Sequence, residues 1–330
     1  MIHLLFTGGT ISMHRDAAAG GIIPTHSGEA LVGFSRGLDA ISPYRIENWA
    51  MVPACHLGPD RLWALRERVR QVAESVEVRG IVITHGTDTI EETAYLLDRT
   101  LDPTVPVAIT GAMRTSSDEE WDGPDNLLAA ATVAASAASA GRGVMVAFHG
   151  KVFAGRTVVK FHATDPDAFA APYAAPIGRV EAGCVTYEAW RVPSGPGTRE
   201  AGGGSGGADK ALLHPARLEA SVALVPMVVG DAGEMLDLAR RAHDGVVIVA
   251  FGSGNVPPEA VPAIGRWIED KKPVVIATRC PTGVVTPLYA FEGGGSRLAA
   301  MGAIPAGPRS PSQARMELMI ALSAGVAYGS

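Results

Sequence analysis

Short apolar runs recur along the first half of the chain at helix-length intervals: "IHLLF" (2–6), "GIVIT" (80–84), "VPVAIT" (105–110) and "GVMVAF" (143–148). A strand covered on one face alternates apolar with polar residues, whereas a near-continuous apolar strand is covered on both. Strands alternating with helical segments read as a parallel, doubly wound sheet. Helices are expected over Pro59 to Ser75, from Glu91, and over Pro124 to Ala140. The rhythm breaks at "RVPSGPGTREAGGGSGGADK" (191–210), whose glycine, proline and small polar residues read as a linker. It resumes with "SVALVPMVV", "GVVIVAF" and "PVVIAT", interleaved with helices expected around Glu234 to Ala242, Pro258 to Ile268 and Pro311 to Ala324. The organisation expected is a larger N-terminal doubly wound, mostly parallel α/β domain over 1–190, a linker over 191–212, and a smaller C-terminal α/β domain over 213–330.

Charge and cysteine usage narrow the function. The formal net charge is -6 and Lys and Arg are scattered, which argues against a nucleic-acid or anionic membrane surface. No run of 18 apolar residues occurs, so no membrane-spanning helix is expected. Cys55, Cys184 and Cys280 lie far apart with no CxxC pair, fitting a reducing compartment. The N-terminus runs straight into a strand pattern without the features of a secretory signal, and a cytoplasmic protein is expected. The nine histidines form no HxH or HExxH pattern, so no metal site is expected.

Two strands end in threonine-rich turns. "LLFTGGTIS" carries Thr7, Gly8, Gly9 and Thr10; "GIVITHGTDTIEET" carries His85, Gly86, Thr87, Asp88 and Thr89. Glycine lets the main chain approach a ligand, and the carboxyl edge of an open α/β sheet is where ligands bind. The structural alternative is a tight βα turn with a threonine cap in the first case, and Asp88 or Thr89 as N-cap before Glu91 and Glu92 in the second. Capping needs one such residue, whereas two threonines flank an aspartate here. His85 reads as packing beside the Thr87 turn and bonding main chain. Hydrolytic use of Thr10 or Thr87 requires a base, and Lys160, between Val158, Val159 and Phe161, is a candidate against the alternative of a surface lysine. Cys55 and His56 are adjacent, but sequence neighbours seldom form a dyad, and Cys55 is expected to be a buried structural cysteine.

Together these segments resemble the bacterial L-asparaginase family of amidohydrolases. The resemblance rests on "TGGTI" (7–11), "HGTDT" (85–89), "GAMR" (111–114), "DGPDNL" (122–127), "VVKFHATD" (158–165), "GSGNVPP" (252–258), "RCPTG" (279–283) and "QAR" (313–315), and covers almost the whole chain. It implies the asparaginase fold and hydrolysis of L-asparagine to L-aspartate and ammonia, with no cofactor. It implies Thr10 as the nucleophile and a group of Thr87, Asp88 and Lys160 in which Lys160 and Asp88 tune Thr87. Asp88 is implied also to hold the substrate α-ammonium, Gly9 and Gly86 to line the pocket, and Asn255 to reach a neighbouring subunit's site in a homodimer or homotetramer.

Departures from the family pattern concern the substrate. Ile22 stands where the loop after TGGTI usually carries a tyrosine, with Thr25, His26, Ser27 or Tyr44 as substitutes. Ala54 and Cys55 stand where a serine and a glutamine or similar polar residue usually grip the α-carboxylate. A more apolar pocket keeps open an asparagine derivative or another small amide as substrate, and the missing tyrosine keeps open a non-catalytic amino-acid-binding homologue. Tyr289 and Glu292 lie near the position of a glutamate that some members donate across subunits. A transfer-RNA-dependent amidotransferase subunit shares the fold but is expected to carry a further N-terminal domain and a basic surface.

Overall fold

The computed structural model describes residues 1–188 and 212–329, which fall into two compact units, 1–188 with Leu212 and 213–329. The expected linker therefore lies outside the described residues except for Leu212.

In chain order the first unit's strands are β1 (Ile2–Gly8), β2 (Met13–Asp16), β3 (Gly21–Pro24), β4 (Tyr44–Val52), β5 (Gly80–Thr84) and β6 (Val107–Thr110). They continue with β7 (Val144–Phe148), β8 (Lys151–Ala154), β9 (Val159–Lys160), β10 (Phe169–Ala170), β11 (Gly178–Glu181) and β12 (Cys184–Tyr187). One eight-stranded sheet runs β12-β11-β8-β7-β6-β5-β1-β4. It is parallel from β4 to β7 and antiparallel beyond. The parallel part begins β4-β1-β5-β6-β7: the chain leaves β1 to one side, returns across it, and continues on the other. That reversal puts the crevice at the carboxyl ends of β1 and β5, the switch point where ligands bind in such sheets.

Both faces of the sheet are covered, as its apolar strands require. Side chains of successive strand residues point to opposite faces. Leu5, Ile81 and Ile83 pack with Leu65 and Val69 of the helix Pro59–Ala73 and with Ala94 and Leu97 of the helix Ile90–Thr100. Leu4, Phe6 and Val82 pack on the other face with Leu127, Ala130 and Ala134 of the helix Gly123–Ala135. This last helix stops short of the expected Ala140 because Ser136 turns extended and its hydroxyl accepts from Ala138 N, capping a separate short turn, Ala137–Ser139.

The antiparallel strands were absent from the pattern of apolar runs because two-residue turns make them. His149 (φ 48°) with Gly150 (φ 71°) joins β7 to β8, and Ala182 (φ 48°) with Gly183 (φ 75°) joins β11 to β12. Positive φ at both turn positions matches the right-handed twist of the strands.

The second unit holds β13 (Val222–Pro226), β14 (Gly245–Ala250), β15 (Val274–Thr278) and β16 (Ile304–Pro305), parallel and in sequence order. Trp267, fully buried, donates from Nε1 to Leu236 O across two helices (2.9 Å). The last helix, Pro311–Ser323, starts with a capping box between Ser310 and Gln313. Among the described residues no helix is long and apolar enough to cross a membrane.

Candidate active site

The first threonine turn is held against the second by the absence of side chains. Gly8 and Gly9 have φ of 103° and 83°; a Cβ on Gly9 would lie 2.4 Å from Gly86 Cα, and one on Gly86 would lie 2.6 Å from Ala54 Cβ. Three turns, after β1, β4 and β5, thus meet main chain to main chain at the switch point. Thr7 Oγ1 donates to Thr84 O (2.8 Å) where the two central strands end. Thr10 then opens a short turn, Thr10–Ser12, which Ser12 Oγ braces by donating to Gly9 O (2.8 Å). Thr10 is half-buried and Thr87 buried.

The second turn, Thr87–Thr89, is a single 3-10 turn before the helix Ile90–Thr100. Neither Asp88 nor Thr89 caps that helix through its side chain, so the structural alternative for this turn is not the one adopted. The Asp88 carboxylate instead accepts from Lys160 Nζ (2.8 Å), and the same ammonium donates to Thr87 Oγ1 (2.9 Å). The Lys160 side chain is 17% exposed and that of Asp88 70%. The lysine stands on β9, which among the described residues pairs with β10 in a ribbon separate from the main sheet. Its own N–H donates to Glu91 Oε2 (2.9 Å), a contact that periodicity did not reveal because Glu91 reads there only as a helix-start acid.

Behind the turn, His85 is fully buried and its pKa is pushed down to about 4 by burial. A neutral ring has one donor and one acceptor. The carbonyl of Gly86, 2.8 Å from Nδ1, can only accept, so Nδ1 carries the proton; Nε2 then accepts from Thr93 Oγ1 at 3.0 Å. The remaining motifs brace this arrangement. A Cβ on Gly111 would lie 2.4 Å from His85 O, Asn126 Nδ2 donates to Gly111 O (3.0 Å), and Asp122 accepts from the Met113 and Arg114 N–H groups.

The positions that depart from the family pattern are placed as follows. Ile22 is exposed on the β2–β3 hairpin opposite Arg15. Each candidate substitute has a polar partner nearby: Thr25 Oγ1 donates to Ile23 O, Ser27 caps the helix Gly28–Phe34, Tyr44 bonds Asp39, and His26 Nε2 bonds Ser116 Oγ at 2.6 Å. Ala54 is buried against Gly86. Cys55 is exposed, contrary to the expected burial, because the short turn Ala54–His56 directs its middle residue outward. Asn255 lies in the second unit, where its Oδ1 accepts from Gly295 N (3.2 Å), and Tyr289 stacks on Phe291 nearby in sequence.

A surface cavity of about 1000 Å³ beside Trp121, Asp122 and His149 contains neither threonine of the two turns nor the lysine, and so lacks the groups hydrolysis needs. Among the described residues no three His, Cys, Asp or Glu gather as metal ligands.

Comparison with known proteins gives the family of the chain. Residues 1–192 match the asparaginase N-terminal family and residues 221–328 the glutaminase/asparaginase C-terminal domain. A probable L-asparaginase of Deinococcus radiodurans is 37% identical over 322 residues, covering 98% of this chain and 92% of that one. L-asparaginase 2 of Escherichia coli is 31% identical, covering 98% and 88%. The crystal structure of a probable cytoplasmic L-asparaginase from Campylobacter jejuni superposes with a TM-score of 0.79 at 27% identity, covering 98% of this chain and 94% of that chain.

Proposed function

The chain belongs to the asparaginase family, and from that premise we propose that it hydrolyses the side-chain amide of L-asparagine to L-aspartate and ammonia at the β1–β5 switch point. The observation that carries the reading is the Lys160 ammonium bonded at once to Thr87 Oγ1 and Asp88, beside the Gly9–Gly86 contact that brings Thr10 to the same crevice.

Threonine in water is a weak nucleophile, so the site must remove its proton and stabilise the charge that follows. In the proposed course Thr10 Oγ1 attacks the amide carbon and its proton passes to the leaving nitrogen. The C–N bond breaks, ammonia departs, and the aspartyl group stays on Thr10 as an ester. Water then attacks the ester carbon, its proton returns to Thr10, and L-aspartate leaves. Thr87 serves the proton transfers, with Lys160 stabilising negative charge on Oγ1. Asp88, largely exposed, compensates the lysine through Oδ1 and offers its carboxylate to the substrate ammonium. Gly9 and Gly86 admit the substrate close to main-chain donors. Ala54 and Cys55 form the wall at the α-carboxyl end.

The wider reading is of a cytoplasmic enzyme with its boundary over 191–212, working as a homodimer or homotetramer in which Asn255 serves a neighbouring subunit's site. A second reading is favoured by Ile22, Ala54 and Cys55, whose side chains offer no strong donor for a carboxylate: the preferred substrate is then an asparagine derivative neutral at the α-carboxyl. Ammonia release from L-asparagine, L-glutamine and asparagine α-amide decides between them. Preference for L-asparagine supports the first reading, and preference for the α-amide replaces it with the second.

A further inference from the structure

Lys160 depends on a thin support. Its strand, β9, is two residues long, pairs among the described residues with the equally short β10, with Phe161 and His162 N–H bonding Ala168 O beside it, and stands apart from the eight-stranded sheet. A two-stranded ribbon of this length has marginal stability of its own. Yet the tip of this side chain must meet Thr87 Oγ1 and Asp88 Oδ1 at hydrogen-bond distance, and an error of 1 Å in such a contact costs about a hundredfold in rate. The second anchor is Glu91: its Oε2 accepts the Lys160 N–H at 2.9 Å, from the first turn of the helix that directly follows Thr87 and Asp88. Both ends of the lysine, main chain and ammonium, are therefore bound to one seven-residue stretch, 85–91.

We infer that Glu91 is a positioning residue: its carboxylate pins the Lys160 main chain to the helix start and thereby sets where the ammonium meets Thr87. The inference rests on the asparaginase reading for its kinetic consequence alone. An acid in a first helical turn also complements the helix dipole, and that ordinary role predicts something different. It would affect stability, equally in Glu91→Ala and Glu91→Gln, and would leave kcat alone. The pin needs an acceptor oxygen, which glutamine keeps and alanine lacks.

The test uses the full-length protein and four variants, Glu91→Ala, Glu91→Gln, Lys160→Met, and Glu91→Ala combined with Lys160→Met. Glu91→Ala is expected to lower kcat on L-asparagine roughly 10- to 100-fold with KM within about twofold, and Glu91→Gln to recover most of the loss. With Lys160→Met already present, Glu91→Ala is expected to cost nothing more, because the lysine is what it positions. A folded Glu91→Ala enzyme with wild-type kcat, or one that loses as much with Lys160 removed, overturns the inference. Amide hydrogen exchange at Lys160 gives a readout independent of substrate: faster exchange in Glu91→Ala but not in Glu91→Gln is expected, and unchanged exchange overturns the pin. A wild type inactive on L-asparagine would defeat the functional reading, while the exchange result would still decide the role of Glu91.

Discussion

Among single residues, Thr87 and His85 show opposite ways of holding a polar group inside the fold. Thr87 is buried but bonded to a lysine whose other partner is a carboxylate, so charge can move at its oxygen without standing alone. Lys160→Met should lower kcat by roughly 100- to 1,000-fold, the range for removing one group that stabilises developing negative charge; ammonia release at saturating substrate checks it, and an unchanged kcat contradicts it. His85 is held neutral by burial. Its pKa of about 4 lies below the ordinary 6.5, so an unfolded chain binds a proton that the fold excludes. Stability from this residue is then complete above about pH 6.5, falls as pH drops, and is fully lost below about pH 4. At about 1.4 kcal/mol per pH unit the loss totals roughly 3 kcal/mol. Urea unfolding between pH 7 and pH 4 should show a shallower decline in a folded His85→Asn variant, and an identical decline contradicts the assignment. The two threonines and Asp88 stood out in the sequence as residue types at strand ends, and Lys160 as a lysine among apolar residues. Glu91 did not, because its contact with Lys160 spans 69 positions and leaves no periodic trace.

For the elements, turns decide more than strands. The apolar runs located β1, β5, β6, β7, β14 and β15, since burial on both faces forces an apolar composition, and also β13, an edge strand whose Leu224 is exposed. The edge strand β12 and its neighbour β11, with alternating exposure, were missed, although "HG" and "AG" at 149–150 and 182–183 are hairpin-turn signals in retrospect. The site depends on turns that tolerate no side chain. Gly9→Ala would meet both a left-handed φ of 83° and the Gly86 main chain, so a loss of about 1 to 3 kcal/mol and a sharply reduced kcat are expected. Thermal unfolding and ammonia release read both, and a Gly9→Ala protein with wild-type activity would show that the two turns need not touch. In the central strand β5, Ile83→Ala should cost about 2 to 5 kcal/mol, measured by urea unfolding, because Ile83 is fully buried in one of the two cores flanking the sheet.

Across the whole molecule, topology rather than any one motif explains where the chemistry sits. Strand order alone places the crevice between β1 and β5, and both threonine turns leave the sheet there. The fold class was legible because alternating strands and helices have few packed solutions. Ala54 and Cys55 were legible only as residue types: burial of one and exposure of the other follow from a three-residue turn. If the active form is an oligomer, specific activity should fall on dilution in step with dissociation seen by analytical ultracentrifugation; constant specific activity in a fully dissociated sample contradicts that assembly. The most direct test of the account is ammonia release from L-asparagine by the purified protein beside folded Thr10→Ala and Thr87→Ala variants. Activity in the wild type that is abolished by either change is the predicted result. Wild-type activity that survives both changes would contradict a two-threonine site.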